Sequence, residues 1–305
     1  MPQDKPIIGI ALMLAFCITV PFGDALAKLL GDRIDVAQLV AIRMAVQIAI
    51  LYPIALWAGI SLKMSRRLTL LSGARALLHI IGIGFMFLSL RYLPLADAVA
   101  IAFVMPFLLL VLGHFILGEE VGARRIIACA VGFVGTLMVI QPNLVEVGWP
   151  ALLPLVVAVD FAFFMLVTRT LAKETDPIAL QVVSGVIACA ILLPLFVVLT
   201  PVGTPGFALA MPASDTWWLL LTMGVLGTLA HLTMTWALRF APSATLAPMQ
   251  YLEIPMAAVV GWLIFADFPN GLALAGIVVT IAAGLYIITR EQRLSKLKPP
   301  EPPAT

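Results

Sequence analysis

Charged side chains are scarce in this sequence: they make up 11% of its residues, whereas 62% are hydrophobic. A soluble domain carries roughly 25% charged residues, so this chain has too little polar surface to cover a globule in water. The formal net charge of +2 is small and gives no reason to expect a nucleic acid partner. The composition predicts a protein whose main solvent is lipid.

Cysteines are equally few, and several reactive motifs are missing. Cys17, Cys129 and Cys189 lie in apolar runs and form no CxxC pair, so we predict neither a disulfide framework nor a metal site. The sequence has no GxxxxGK[ST] loop, which argues against ATP hydrolysis by this chain. It also lacks HExxH, a Gly-x-Ser-x-Gly nucleophile and Asp-rich metal motifs. We therefore expect no cofactor and no enzymatic activity.

Long apolar runs are what the sequence has in abundance. A transmembrane helix needs about 20 mostly apolar residues, and ten runs approach that length. Backbone groups cannot remain unpaired in hydrocarbon, and the runs show no strict alternation of apolar and polar residues, so helices are favoured over a β-barrel. We predict an all-α membrane protein with ten transmembrane helices, at residues 7–29, 36–59, 71–92, 95–117, 123–141, 149–171, 178–200, 216–238, 243–266 and 271–289.

The lysines and arginines predict the orientation of these spans. Cytoplasmic loops of membrane proteins carry an excess of Lys and Arg. With ten spans and a cytoplasmic N-terminus, only Lys28, Arg33 and Arg91 fall on the far side, and Arg43 falls within a span. We therefore expect both termini in the cytoplasm and the protein in the cytoplasmic (inner) membrane. The segments assigned to the cytoplasmic side hold Lys5, Lys63, Arg66, Arg67, Arg75, Arg124, Arg125, Arg169, Lys173, Arg239, Arg290, Arg293, Lys296 and Lys298.

The two halves of the chain share short segments in the same order. Leu90-Arg91-Tyr92-Leu93-Pro94 recurs as Leu238-Arg239-Phe240-Ala241-Pro242. This order indicates a duplication, with repeats at residues 7–141 and 149–290 and a disordered cytoplasmic tail at 291–305. Further matched pairs are Leu117-Gly118-Glu119 with Phe265-Ala266-Asp267, Pro106 with Pro255 after a shift of one, Lys28 with Arg169, and Asp35 with Asp176.

The odd number of spans in each repeat has a geometric consequence. Five spans bring the chain to the opposite side of the bilayer, so the second repeat must insert upside down relative to the first. We therefore predict two inverted five-helix repeats. Inverted repeats are common in secondary transporters, which bind their substrate near the midplane between the halves.

A set of short motifs is spread over the first half of the chain. They are Pro21-Phe22-Gly23-Asp24, Lys28, Arg43, Leu90-Arg91-Tyr92-Leu93-Pro94, Pro106, Leu117-Gly118-Glu119-Glu120 and Gly132-Phe133-Val134-Gly135. In these motifs the chain resembles the EamA-type carriers of the drug/metabolite transporter superfamily, and the resemblance covers residues 7–290. The second copy departs from the pattern, because Asp267 replaces the first Glu and no Arg matches Arg43. The resemblance implies a secondary active transporter for a small organic metabolite that works by alternating access, with riboflavin or S-adenosylmethionine as the first candidate substrates.

Other classes of function stay open at this point. The resemblance also extends to efflux carriers of amino acids or other metabolites. An integral membrane enzyme, a channel or a non-transporting scaffold are the rivals from other classes. The partners that these features indicate are a small-molecule substrate, the lipid bilayer and, where a buried carboxylate carries a proton, protons.

Ionisable side chains inside the predicted spans are functional candidates because their burial in lipid is costly. Asp24, Arg43 and Asp97 fall in the outer half of the membrane. They predict either a structural ion pair with Arg43 or an outer gate that holds a charged group of the substrate. Asp160 lies near the middle of its span, where low dielectric favours the neutral carboxyl, so it is either a proton carrier or a hydrogen-bonded structural residue.

A second group of polar residues is expected in the inner half. Gln250 and Glu253 lie three residues apart, on one face of a helix, and His231 falls at a similar depth. These three residues predict one polar cluster, and His79 is a weaker candidate for the same site.

Prolines and aromatic residues complete the set of candidates. Pro106 and Pro255 fall within spans at matching positions of the two repeats, and each is expected to kink its helix. Matched kinks suit moving gates, although a packing role is open. Trp236 and Tyr251 either line a cavity that accepts a flat ring or are ordinary packing residues.

Overall fold

The computed structural model describes residues 5–93, 95–140, 148–266 and 270–297, and within these ranges the chain forms helices and short loops without any β-strand. The prediction of an all-α fold is confirmed. A short 3-10 turn, Trp149–Ala151, precedes α7. The helices are α1 (Pro6–Leu30), α2 (Val36–Trp57), α3 (Arg66–Leu90), α4 (Leu95–Ala102), α5 (Met105–Leu117), α6 (Ala123–Ile140), α7 (Leu152–Glu174), α8 (Pro177–Leu199), α9 (Trp217–Phe240), α10 (Ser243–Gln250), α11 (Glu253–Phe265) and α12 (Gly271–Leu297).

The helices are built to cross a membrane. With α10 and α11 taken together as Ser243–Phe265, eight segments of the described part of the chain are long and apolar enough to span a bilayer, and α5 is a shorter apolar helix. Large apolar side chains such as Phe115, Val197 and Leu263 are exposed on the outside of the bundle, whereas several ionisable side chains are buried within it. This distribution is that of a multi-pass membrane protein, because lipid can solvate the apolar outer face.

Local signals in the sequence explain where several helices begin and end. The Asp176 carboxylate accepts hydrogen bonds from the backbone N–H groups of Ile178 and Ala179, and Pro177 occupies the first turn of α8, where its missing N–H costs nothing. The helices α5 and α11 both end in a left-handed residue, Gly118 at φ 64° and Ala266 at φ 60°. These two residues are at matching positions of the sequence repeat.

Two predicted spans are divided. Residues 95–117 and 243–266 were each expected to form one kinked helix, but each consists of two helices, with a break before Met105 and before Glu253. Pro106 and Pro255 lie in the first turn of the second helix of each pair, where a residue without an N–H is tolerated best. The breaks, at Phe103 and Tyr251, are separated by the same interval as the repeated segments that begin at Leu90 and Leu238.

Helices from the two halves of the chain pack against one another. The most extensive helix pairs are α1 with α9, α6 with α12, α3 with α7, and α2 with α8. The bundle has two ends, and the end that carries Lys5, Arg67, Arg125, Arg169 and Arg239 is called the basic end below. The helix α12 extends to Leu297, beyond the predicted end of the second repeat, and the part of the predicted tail after Leu297 lies outside the described residues.

Candidate functional site

A cavity lies inside the bundle, where helices of both halves meet. Its volume is about 90 Å³, and four of the candidate residues line it: Asp24, Arg43, His231 and Glu253. Most of the remaining wall is apolar and includes several phenylalanines. An apolar pocket with a few converging polar groups is the usual form of a small-molecule site.

Asp24 on α1 and Arg43 on α2 face this cavity without forming an ion pair. Both side chains are buried, yet no nitrogen–oxygen distance of 4.0 Å or less joins them among the described ion pairs. The Arg43 guanidinium instead makes one long hydrogen bond, 3.5 Å from Nη2 to the carbonyl oxygen of Gly227. Its Nε has no acceptor among the residues described. The carboxylate and the guanidinium therefore both retain hydrogen-bonding capacity toward the cavity.

A glycine in α9 makes room for Arg43. A β-carbon at Gly227 would lie 2.6 Å from the guanidinium carbon of Arg43, so any side chain at this position would have to displace the guanidinium. The missing side chain lets the guanidinium lie against the backbone of α9, beside the cavity.

Glu253 is the first residue of α11 and follows the break at Tyr251 and Leu252. It is buried and faces the cavity. The partial positive charge of a helix N-terminus stabilises a carboxylate there. The break thus serves to bring an acidic group and a helix terminus to the wall of the cavity.

Two histidines lie in contact beside the cavity. The ring centroids of His79 on α3 and His231 on α9 are 4.4 Å apart, and the ring of Phe164 lies 4.9 Å from His79. Neither ring nitrogen of His79, nor Nδ1 of His231, has a hydrogen-bond partner in the described part of the chain. His79 therefore lies next to the cavity without lining it, in contact with the ring of His231.

Asp160 approaches the same region from α7. It lies against Gly82 of α3 so closely that a β-carbon at Gly82 would collide with its Oδ2. That oxygen is buried and accepts no hydrogen bond from any described residue. Neighbouring residues of α7, among them Val157 and Phe161, line the cavity.

Gln250 and Tyr251 lie away from the cavity wall. The Gln250 amide donates to the sulfur of Met165 at 3.3 Å. The Tyr251 hydroxyl donates to the carbonyl oxygen of Phe103 at 3.2 Å, and the two rings are 5.4 Å apart. Tyr251 thus connects the two helix breaks, and of the expected inner cluster only His231 and Glu253 share the cavity.

The other candidates are placed as follows. Trp236 packs against a small apolar cluster of Leu51, Val182 and Leu232 and is absent from the cavity wall as described. The side chain of Asp97 lies outside the described residues. Pro106 and Pro255 sit immediately after the two helix breaks.

Arg75, which the distribution of lysines and arginines places in a cytoplasmic segment, lies inside the bundle on α3. The side chain is fully buried, with 0% of its surface exposed. Its Nε donates to the Thr168 hydroxyl at 2.9 Å, and its guanidinium lies 4.6 Å from the centre of the Phe164 ring. The spacing of Arg75 and His79, four residues apart on one helix face, was a signal in the sequence that could have linked the two residues.

A polar network closes the basic end of the bundle. The Glu119 carboxylate accepts hydrogen bonds from the Ser243 hydroxyl at 2.6 Å and from the backbone N–H groups of Ser243 and Ala244. It also pairs with Arg169 at 3.5 Å, and Arg169 donates to the carbonyl oxygen of Leu238 at 2.5 Å. Glu119 therefore caps α10 and ties it to the loop after α5 and to α7.

The opposite end carries contacts at matching positions of the repeat. Lys28, the counterpart of Arg169, donates to the carbonyl oxygen of Leu93 at 2.8 Å. Arg91 donates to the carbonyl oxygen of Ile34 at 2.9 Å, as its counterpart Arg239 does to Thr175 at 3.2 Å. Both ends of the bundle are thus held by similar cation-to-carbonyl contacts.

Comparison with known proteins identifies the class to which this fold and this cavity belong. The model of the EamA-like transporter family matches the chain twice, at residues 7–141 and 148–290. The chain belongs to the EamA-like transporter family. A solved structure that is 17% identical covers 93% of this chain with a TM-score of 0.73, which shows the same fold.

Individual relatives are named for different substrates. A riboflavin transporter of Rhizobium johnstonii is 31% identical over 72% of this chain and 70% of the relative. An S-adenosylmethionine uptake transporter of Rickettsia felis is 26% identical over 95% of both chains. The pseudopaline exporter CntI of Pseudomonas aeruginosa is 25% identical over 90% of this chain and 94% of the relative.

Proposed function

We propose that this protein is a secondary active transporter that moves a small organic metabolite across the cytoplasmic membrane by alternating access. The observation that carries the proposal is the cavity between the two halves, which presents Asp24, Arg43, His231 and Glu253 from four different helices. Ionisable residues at membrane depth mark substrate and ion pathways. Membership of the EamA-like transporter family supports the same function.

The proposal includes two repeats of opposite orientation, at residues 7–141 and 149–290, followed by a cytoplasmic tail at 291–305. Exchange of the two halves maps the most extensive helix pairs onto one another, which supports it: α1 packs on α9 as α7 packs on α3, and α5 on α7 as α11 on α1. The pairs α2 with α8 and α6 with α12 map onto themselves. Matching helix breaks and matching end contacts add to this support.

Alternating access follows from such an arrangement. If the halves exchange conformations, the contacts of Lys28 and Arg91 break while those of Arg169 and Arg239 stay formed. In the opposite conformation the contacts of Arg169 and Arg239 break instead. The cavity would then face one side of the membrane at a time. The positive-inside rule supports an orientation with the basic end and both termini in the cytoplasm.

The substrate proposed first is riboflavin or S-adenosylmethionine. The cavity combines aromatic walls, which suit a flat ring, with a guanidinium and carboxylates that can bind polar groups. Ligand pockets usually measure about 300–1,000 Å³, so the cavity of about 90 Å³ must widen when the helices of the two halves separate. The relatives named for these two substrates support this choice.

Export of another metabolite is the second candidate, and the similarity to an exporter favours it. Proton coupling is part of the proposal for both candidate functions, the transport of riboflavin or S-adenosylmethionine and the export of another metabolite. Asp160 and Glu253 are the carboxylates proposed to carry the proton, because both are buried and neither forms an ion pair in the described part of the chain.

The test is countertransport in proteoliposomes that contain the purified protein. We expect saturable uptake of labelled riboflavin or S-adenosylmethionine that is accelerated by unlabelled substrate inside. Asp24→Asn should reduce this uptake at least tenfold, whereas the control Asp215→Asn should not, because Asp215 pairs with Arg33 at the exposed surface. Uptake that does not saturate, or that lacks acceleration by internal substrate, would contradict a carrier mechanism.

A further inference from the structure

One face of α3 carries a polar stripe that leads away from the cavity toward the basic end. Gly82 lines the cavity, and His79 and Arg75 follow it at intervals of three and four residues, on the same side of the helix. Thr168, Phe164 and Asp160 of α7 lie opposite Arg75, His79 and Gly82 in turn. The stripe therefore lies at the interface of α3 and α7, between the two halves of the chain.

Arg75 is the most unusual member of this stripe. An arginine stays charged under all ordinary conditions, and a buried charge normally has a partner of opposite sign. The partners of Arg75 are the neutral Thr168 hydroxyl and the ring of Phe164. Its two terminal nitrogens, Nη1 and Nη2, are buried and have no hydrogen-bond partner within the described ranges.

The two carboxylates of the facing helix do not neutralise this charge. Asp160 precedes Thr168 by eight residues on α7 and Glu174 follows it by six, which corresponds to about 12 Å and about 9 Å along a helix. Glu174 pairs instead with Arg67. His79 and His231 lie between the cavity and Arg75, and they add ring nitrogens without described partners. The stripe thus offers several unused donors beside a guanidinium that has no counter-charge among the residues the structure describes.

We propose that Arg75, together with His79 and His231, forms a binding station for an acidic group of the transported molecule, a carboxylate or a phosphate. Because Nε is held by Thr168, the fork of Nη1 and Nη2 remains for a bidentate contact with such a group. His231 lines the cavity and touches His79, so the two imidazoles connect the cavity to the guanidinium. The role of the station in transport rests on the proposed function, but its ability to bind an anion does not.

The first experiment measures anion binding without transport. The melting temperature of the purified protein is recorded in acetate or in inorganic phosphate and compared with chloride at equal ionic strength, because a ligand that binds only the folded state stabilises it. We expect a higher melting temperature of the wild type in at least one of the two anions, and the anion that acts distinguishes a carboxylate from a phosphate site. Arg75→Gln should abolish the increase, whereas the exposed Arg67→Gln should retain it.

Two results of this experiment would contradict the proposal that the station binds an anion. One is a wild-type protein that melts at the same temperature in all three salts. The other is an increase that persists in Arg75→Gln. If Arg75→Gln does not fold, His79→Gln replaces it, since it removes the imidazole next to the guanidinium and should reduce the increase by at least half. An undiminished increase in that variant would count equally against the proposal.

The second experiment asks whether the station takes part in transport. It compares the uptake of paired probes, of which one member has an acidic group that the other lacks. The pairs are S-adenosylmethionine with its decarboxylated analogue, and riboflavin 5′-phosphate with riboflavin. We expect Arg75→Gln to lower uptake of the acidic member at least tenfold and of the other member less than twofold. Equal losses for both members would remove the station from the transport path. If the wild type transports none of the four probes, the substrate proposal fails, and the salt experiment still decides whether the station exists.

Discussion

At the scale of single residues, the cavity depends on polar groups that the fold leaves without strong internal partners. Arg43 contacts α9 through one long hydrogen bond, and Asp24 forms no described ion pair. A bundle selected only for stability would bury such groups in pairs or replace them with apolar residues. Their retention fits a site in which a ligand supplies the missing contacts.

The glycine beside Arg43 provides a test at this scale. We predict that Gly227→Ala displaces the Arg43 guanidinium, because the new β-carbon would lie 2.6 Å from its central carbon, and that substrate uptake falls about tenfold. The melting temperature should change little, since a long side chain can move aside. Gly84→Ala is the matched control, as a β-carbon at Gly84 meets no atom within 4 Å. Equal uptake by the two variants would show that the position of Arg43 is unimportant.

At the scale of helices, the decisive features are the two breaks, at Phe103 and at Tyr251. Each break frees backbone carbonyls that a continuous helix would use, and in a membrane such groups must find donors within the protein. The Tyr251 hydroxyl supplies a donor to the Phe103 carbonyl and so joins the two broken helices directly. The same break places Glu253 at the cavity.

This contact yields a prediction about stability. Tyr251→Phe removes the hydroxyl and leaves the buried Phe103 carbonyl without its donor, so the free energy of unfolding should fall by about 1 kcal/mol. The exposed Tyr52→Phe is the control, for which no change is expected. Thermal unfolding of the purified proteins in detergent measures both. If the two variants are equally stable, the hydrogen bond does not support the break.

At the scale of the whole molecule, the two ends of the bundle are held by similar cation-to-carbonyl contacts, of Lys28 and Arg91 at one end and of Arg169 and Arg239 at the other. The acidic partners of the two ends differ: at the basic end Glu119 pairs with Arg169 and caps α10, whereas at the opposite end Asp35 pairs with Arg91. The equilibrium between the conformation open at the basic end and the conformation open at the opposite end should therefore depend on Glu119.

We predict that Glu119→Gln shifts the transporter toward the state that is open at the basic end. The reporter is Ala244→Cys, introduced after replacement of Cys17, Cys129 and Cys189, because Ala244 is fully buried in the first turn of α10. Its reaction with a polar thiol reagent should become at least threefold faster in the Glu119→Gln background. The control is Glu120→Gln, whose side chain is exposed. An unchanged rate would mean that Glu119 does not hold this end closed.

Much of the fold was predictable because the bilayer restricts the possibilities. Long apolar runs in lipid have to form helices, and turn and charge signals placed most of their ends within a few residues. The divided helices were only partly anticipated: the prolines indicated kinks, but a complete break requires that the freed carbonyls find partners such as Tyr251, and these partners come from distant parts of the chain.

The sequence by itself determined the helical character, the membrane environment, the family and the set of buried ionisable residues, because each of these depends on composition and local order along the chain. Tertiary structure alone decided which of these residues meet. It brought Asp24, Arg43, His231 and Glu253 to one cavity, left Trp236 in an apolar cluster, and buried Arg75 beside His79. The physical reason is that the rotation of each helix about its axis is set by packing against helices of the other half, and this packing is not encoded in any single segment.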